Sequence, residues 1–361
     1  MNKLIYQSWW KAAAVILLLY AIIVGLSVPL SPAINSISPQ SFSIRNATGS
    51  FLQMNVIGYN THFDNSTNLK AWIICNDEKD TFILCGNKID IKSSTEATVS
   101  FLMPAHLPFN HDTVLANFAM NDTKDGSFGL DNSFFIYGNK KFGTGVLDLS
   151  CKAESESNKT AYISFPFREV LHETIRNLFF HVPMWFGMML LLGISLFYSI
   201  KYLRNMREDD DLVAVEFVNA GLLMGICGIV TGMVWAQYTW GHWWVKDDPK
   251  LNGAAVVLLE YFAYIILRGS INDERQKARV SAVYNIFAAA SVIPLLFILP
   301  KMNDSLHPGN GGNPGFKAYD LDKTIRLVFY PAVMGWALLG FWLASLRIRI
   351  KRIEHKLYEN E

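Results

Sequence analysis

Two histidines and a knot of tryptophans are the residues of this chain best suited to chemistry. His181 sits in LFFHVPMWFG and His307 in NDSLHPGNGG, and a neutral imidazole in either place offers a lone pair to a transition metal. Trp235, Trp240, Trp243 and Trp244 fall within ten residues of one another, in a chain with ten tryptophans altogether. An aromatic belt at a membrane interface accounts for one or two of them. It does not account for WGxWW followed by charge, with Gly241 freeing the backbone between the rings. That combination suits a flat, apolar ligand with a polar edge, because aromatic area supplies most of the binding. A histidine at a bilayer boundary or in a Gly/Pro loop is commonly just solvated, so neither imidazole decides anything alone.

The elements that must position these residues are membrane helices. Of 361 residues, 51% are hydrophobic and 17% charged, against about a quarter charged in an ordinary soluble domain. Lys+Arg 32 against Asp+Glu 31 leaves a net charge of +1, which excludes nucleic-acid binding driven by a global field. A mean hydropathy of +0.20 is low for a chain wholly in lipid and implies a sizeable water-exposed part. A bilayer core of about 30 Å takes roughly 20 apolar residues as a helix. Six segments qualify: Ala12–Leu30, Leu178–Ile200, Phe217–Tyr238, Gly253–Leu267, Val280–Leu299 and Ile325–Leu346. The first reads as an anchor, with a cleaved signal peptide as the alternative. Lys201, Arg204 and Arg207 follow the second span, Arg268, Arg275, Lys277 and Arg279 the fourth, and Arg347, Arg349, Lys351, Arg352 and Lys356 the sixth. The positive-inside rule then puts both termini in the cytoplasm and segments 31–177, 239–252 and 300–324 outside.

The sequence divides into an N-terminal span (1–30), an extracytoplasmic insert (31–172), a helical core (173–346) with a tryptophan loop at 235–253, and a basic cytoplasmic tail (347–361). In the insert, runs such as LKAWIIC, DTFILCG, ATVSFLM, VLANFAM and SFFIYG alternate with Asn, Asp, Gly and Lys clusters at hairpin spacing. The expected fold is mainly α, six transmembrane helices with an all-β, sandwich-like domain inserted after the first. Cys75, Cys85 and Cys151 lie where one disulfide can form, its pairing open. His62, His106 and His111 lack metal-ligand spacing and read as surface histidines, and no nucleotide-binding loop is present.

Topology brings the tryptophan loop, His181 and His307 to the same outer face from three separate loops. Two imidazoles can hold haem iron axially while aromatic rings pack the macrocycle, so the sum is a haem platform. His242, within the platform loop, is a weaker candidate ligand. Lys246 and Lys250 read as solvated, and Glu260 as facing the bundle interior toward Arg326.

WGHWWVKD resembles the WWD signature of haem-handling proteins of cytochrome c maturation. RNLFFHVPMWFGM and SLHPG resemble the two conserved-histidine segments of the CcmC family, within the wider CcmC/CcmF/CcsA superfamily. The likeness covers roughly residues 173–346, and the β insert has no counterpart in it. It implies non-covalent, transiently bound b-type haem, with His181 and His307 as axial iron ligands and Trp240, Gly241, Trp243, Trp244 and Asp247 shaping the pocket. It further implies transfer to a CcmE-like haem chaperone, energy supplied by a CcmA/CcmB-like ABC transporter with a CcmD-like small subunit, no catalytic residues, and residence in a bacterial inner membrane. The pattern departs from the family at Lys246 for a Trp, Lys250 for an Arg and Asn252 for a Thr. The rival readings are a CcsA-type haem lyase, which usually carries more spans and histidines, and a receptor in which the β insert does the work.

Overall fold

The computed structural model describes residues 2–44, 51–66, 68–76, 81–104, 107–109, 111–138, 162–169, 171–303, 305–307 and 321–358. They form two units: Val28–His172, and Met1–Ser27 with Glu173–Glu361.

The first unit is β. Its strands are β1 (Ala33–Ser38), β2 (Ser41–Ser43), β3 (Phe51–Tyr59), β4 (Lys70–Asn76), β5 (Thr81–Ile91), β6 (Glu96–Leu102), β7 (Thr113–Asp122) and β8 (Gly126–Tyr137). Alternation drives them inward: Leu52, Met54 and Val56 of β3, Ile73 and Cys75 of β4, Val99 and Phe101 of β6, and Phe118 and Met120 of β7 all reach one core. The expected two-sheet sandwich is corrected to a single half-barrel sheet, ordered β1-β3-β6-β5-β4-β7-β8-β2. The reason is β5. Its first half pairs with β4 and its second with β6, the register shifting between Gly86 and Lys88. A Cβ on Gly86 would stand 2.8 Å from Val99 Cγ1, so the bend needs glycine there. Cys85 is disulfide-bonded, whereas Cys75 is a free thiol that burial pushes up to about 12. Cys151 and His106 lie outside the described residues. His62 is no ordinary surface histidine, since its Nδ1 lies 2.8 Å from the buried Asp125 carboxylate.

The second unit is a helical bundle of α1 (Asn2–Ser27), α2 (His181–Asn205), α3 (Glu208–Trp240), α4 (Pro249–Gly269), α5 (Glu274–Ile293), α6 (Leu299–Met302) and α7 (Lys323–Tyr358); a π-helical turn, Pro294–Ile298, joins α5 to α6. Among the described residues, six helices are long and apolar enough to cross a membrane, α5, the π turn and α6 counting as one. They outrun the expected segments because polar turns extend them beyond the apolar stretch. Glu208–Asp211 opens α3 with four acids that complement the helix dipole, and the expected basic tail continues α7 to Tyr358. The tryptophan loop shortens correspondingly to Gly241–Asp248, Trp235 and Trp240 belonging to α3 itself.

Small residues let these helices close. A Cβ on Gly225 would meet Leu258 at 2.5 Å and Met188 Sδ at 2.7 Å, and one on Gly340 would meet Leu191 at 2.7 Å. Asn285 of α5 donates to Ser195 and Ser199 of α2, all three buried. Glu260 takes a hydrogen bond from Ser291 rather than the expected contact with Arg326, whose Nε donates to the Leu321 carbonyl. Helix α1 runs antiparallel to α7, with Trp10 edge-on to Phe341 and Tyr20 Oη donating to the Leu327 carbonyl. At the end of the bundle where α3 begins, the acids of α3 bind three helices: Asp210 to Lys201, Asp211 to Arg268, and Asp209 and Glu216 to Arg352 and Arg347. The opposite end is thereby left to the loops that carry His181, the tryptophans and His307.

Candidate functional site

His181 is the first residue of α2 and leans on the last third of α3. Its Nδ1 lies 2.8 Å from the Gly228 carbonyl and 3.3 Å from Thr231 Oγ1. A carbonyl only accepts, so Nδ1 carries the proton and Nε2 keeps its lone pair. Gly232 makes room for the ring: a Cβ there would stand 2.6 Å from His181 Cε1. Trp185, one turn along α2, meets the imidazole edge-on at 6.3 Å and is itself admitted by Gly228.

The platform is built from the C-terminus of α3. Gly241 ends the helix in the left-handed conformation, φ +75, its N–H returning to the Gln237 carbonyl. That turn frees the chain after Trp240 and lets it reverse into α4. Trp244 Nε1 donates to Asn252 Oδ1 and Asn252 Nδ2 to the Lys246 carbonyl, so the loop is pinned to the first turn of α4. Trp243 stays 54% exposed.

Asp248 is the residue that ties the loops together. It caps α4, its Oδ1 accepting from the Lys250 and Leu251 N–H groups, with Pro249 at the first helical position. Its Oδ2 accepts from Ser305 Oγ at 2.8 Å and from Leu306 N–H at 2.9 Å. His307 follows directly, its Nδ1 3.3 Å from Asp248 Oδ1. The His307 ring packs against Trp240 at 5.1 Å and Trp235 at 6.2 Å. Burial would raise the Asp248 carboxyl, but the neighbouring His307, the Leu251 N–H and Ser305 outweigh it and hold it well below the usual carboxylate range. Burial also lowers the His307 imidazole, partly countered by Asp248. The two histidines differ in how they are held: His181 Nδ1 is hydrogen-bonded to the Gly228 carbonyl, whereas His307 Nδ1 is buried near the Asp248 carboxylate without a hydrogen bond to it.

Helix α3 brings the pieces to one end of the bundle, since Gly228, Thr231 and Gly232 hold His181 while Trp235 and Trp240 hold His307. Lys250, expected to be solvated, is only partly exposed. Asp247, His242 and Lys246 are exposed. A shallow cleft of about 240 Å3 lies between the platform and the His307 turn, lined by Val245, Asp247, Asp248, Ser305 and Leu306. Sequence reasoning missed Asp248, Thr231 and Gly232. The Asp-Pro pair was a readable cap signal for the first. The GIVTG run of α3 carries no comparable signal, because small residues in a span normally mean only close packing.

Residues 157–361 match the CcmC family, described as Heme exporter protein C. The chain belongs to this family. Relatives within it include Heme exporter protein C of Paracoccus denitrificans, 25% identical over 178 residues that span 49% of this chain and 72% of the relative. The protein of that name from Rhodobacter capsulatus is 25% identical over 186 residues, 50% of this chain and 73% of its own. A shorter likeness, 32% over 94 residues, extends to cytochrome c biogenesis protein CcsA of Pelargonium hortorum, covering 26% of this chain and 29% of the relative. The CcmC match takes in every residue of the histidine and tryptophan cluster and leaves the β-strands outside it.

Proposed function

We propose that this protein handles haem for cytochrome c maturation, holding it non-covalently between His181 and His307 at the loop end of the helical bundle. The observation that carries the reading is that two buried imidazoles, His181 held at Nδ1 by the Gly228 carbonyl and His307 beside the Asp248 carboxylate and against Trp235 and Trp240, are brought to one end of the bundle by α3. Relatives named Heme exporter protein C support it. Trp240, Trp243 and Trp244 supply aromatic area against the macrocycle, and Lys250 supplies a cation within reach of a propionate. The cargo is carried rather than transformed: replaceable axial ligands permit transfer to a CcmE-like chaperone, with a CcmA/CcmB-like transporter and CcmD-like subunit providing release. The basic helix ends at the other pole favour cytoplasmic termini and an extracytoplasmic site, in a bacterial inner membrane.

The direct test is the spectrum of the protein purified from haem-replete cells: a Soret band whose pigment extracts into acidified organic solvent. A colourless preparation that still supports cytochrome c assembly overturns the reading. Pigment that resists extraction overturns the non-covalent mode.

Two variants probe the platform. Replacing Trp243 and Trp244 by alanine is expected to lower retained haem several-fold, about 0.5–1.5 kcal/mol per aromatic contact beyond area, without loss of membrane insertion. Equal haem in variant and wild type rejects their role. Gly232→Ala is expected to drive the His181 ring off the Gly228 carbonyl, because the added methyl has no space. Gly193→Ala, where a Cβ meets nothing within 4 Å, is the matched control. A haem spectrum changed in the first and unchanged in the second is the expected pair.

A further inference from the structure

A second cleft, of about 210 Å3, opens beside the first histidine. It is lined by Thr174, Asn177, Thr231, Val234, Trp235 and Tyr238, between the 3-10 segment His172–Phe179 and α3. Its inner wall is the histidine site itself: Thr231 Oγ1 lies 3.3 Å from His181 Nδ1, and the Trp235 ring packs on His307. Asn177 Nδ2 donates to the Thr231 carbonyl across it.

Its mouth faces the flank of the helix. Val234 is 55% exposed and Tyr238 73%, and Val230, one turn below, is 54% exposed. Residues four apart share a helix face, so these three form an apolar stripe on a helix long and apolar enough to span a membrane. Such a stripe meets hydrocarbon, and a cleft between its last two members opens into the bilayer edge. The 240 Å3 cleft differs in charge, carrying both Asp247 and Asp248. The α3 cleft, by contrast, presents only hydroxyl, amide and apolar groups, which suit the apolar edge of a porphyrin leaving lipid.

We propose that the α3 cleft is a lateral portal, through which the apolar edge of the porphyrin passes from the lipid to the two histidines. This rests on the haem reading above. Its volume admits an edge of the macrocycle.

The test uses the full chain in proteoliposomes, with haemin supplied in phosphatidylcholine vesicles and uptake followed as growth of the Soret band. Val234→Trp fills the cleft from an exposed position. Val230→Trp adds the same bulk one turn away, outside the cleft. The portal requires Val234→Trp to slow uptake by about tenfold or more, with the final spectrum unchanged, and Val230→Trp to load like wild type. Loading of Val234→Trp at the wild-type rate overturns the portal and leaves the haem reading standing, as does equal slowing by both variants. An altered end-point spectrum in Val234→Trp puts that residue in the bound-state pocket and also overturns the portal. A wild type that acquires no Soret band fails the haem reading itself, and the portal with it.

Discussion

Replacing His181 and His307 together by alanine is expected to abolish the Soret band of the purified protein. His181 is oriented by the Gly228 carbonyl and His307 by packing on Trp235 and Trp240, and losing an orienting partner alone typically costs 10–100-fold in metal affinity. Loss of both ligating nitrogens therefore exceeds about 100-fold, beyond what the tryptophan platform can retain through purification. The single variants should keep part of the pigment with a spectrum shifted toward five-coordinate iron. His242→Ala should be silent, because that side chain is exposed on the loop and contributes to neither imidazole. Helical content and membrane insertion are the controls for folding. A double variant with an undiminished Soret band would show that the two residues do not ligate the cargo.

The second large effect belongs to adjacent carboxylates that play different parts. Asp248→Ala is expected to reduce retained haem nearly as far as His307→Ala, while Asp247→Ala leaves it unchanged. Asp248 accepts from two N–H groups of α4, from Ser305 and from Leu306. Its removal costs roughly 1 kcal/mol for the cap and about 1–3 kcal/mol for each donor left buried without an acceptor. The larger share falls on the turn that delivers His307. Asp248→Asn separates the two roles: one amide oxygen can still cap α4, but the amide nitrogen then confronts the Leu306 N–H, a donor against a donor. Its haem retention should lie between wild type and Asp248→Ala, with thermal stability closer to wild type. Equal behaviour of the Asp247 and Asp248 alanine variants would refute this division.

The same pair illustrates how far the sequence could be read. Six apolar stretches were legible because a bilayer satisfies no backbone polar group and so demands a continuous run. Their ends were not: the acidic first turn of α3 and the charged last turns of α7 are polar yet helical, held by ion pairs such as Asp211–Arg268 that hydropathy cannot see. The tryptophan motif and both histidines stood out by residue type. Which of Asp247 and Asp248 turns inward did not, since the two differ only in where α4 begins. In the β unit, alternation marked the strands, while their joining into one half-barrel sheet depended on β5 changing partners at Gly86.

The membrane helices, the β character of the insert and the residue types of the site follow from hydropathy, alternation and ligand chemistry, all of them local properties. The seating of His181 by Gly228, Thr231 and Gly232, and of the His307 turn by Asp248 against Trp235 and Trp240, emerges from the folded chain alone. Those contacts join residues dozens of positions apart. They depend on helix register and on the volume a missing side chain leaves, neither of which is encoded in any one segment.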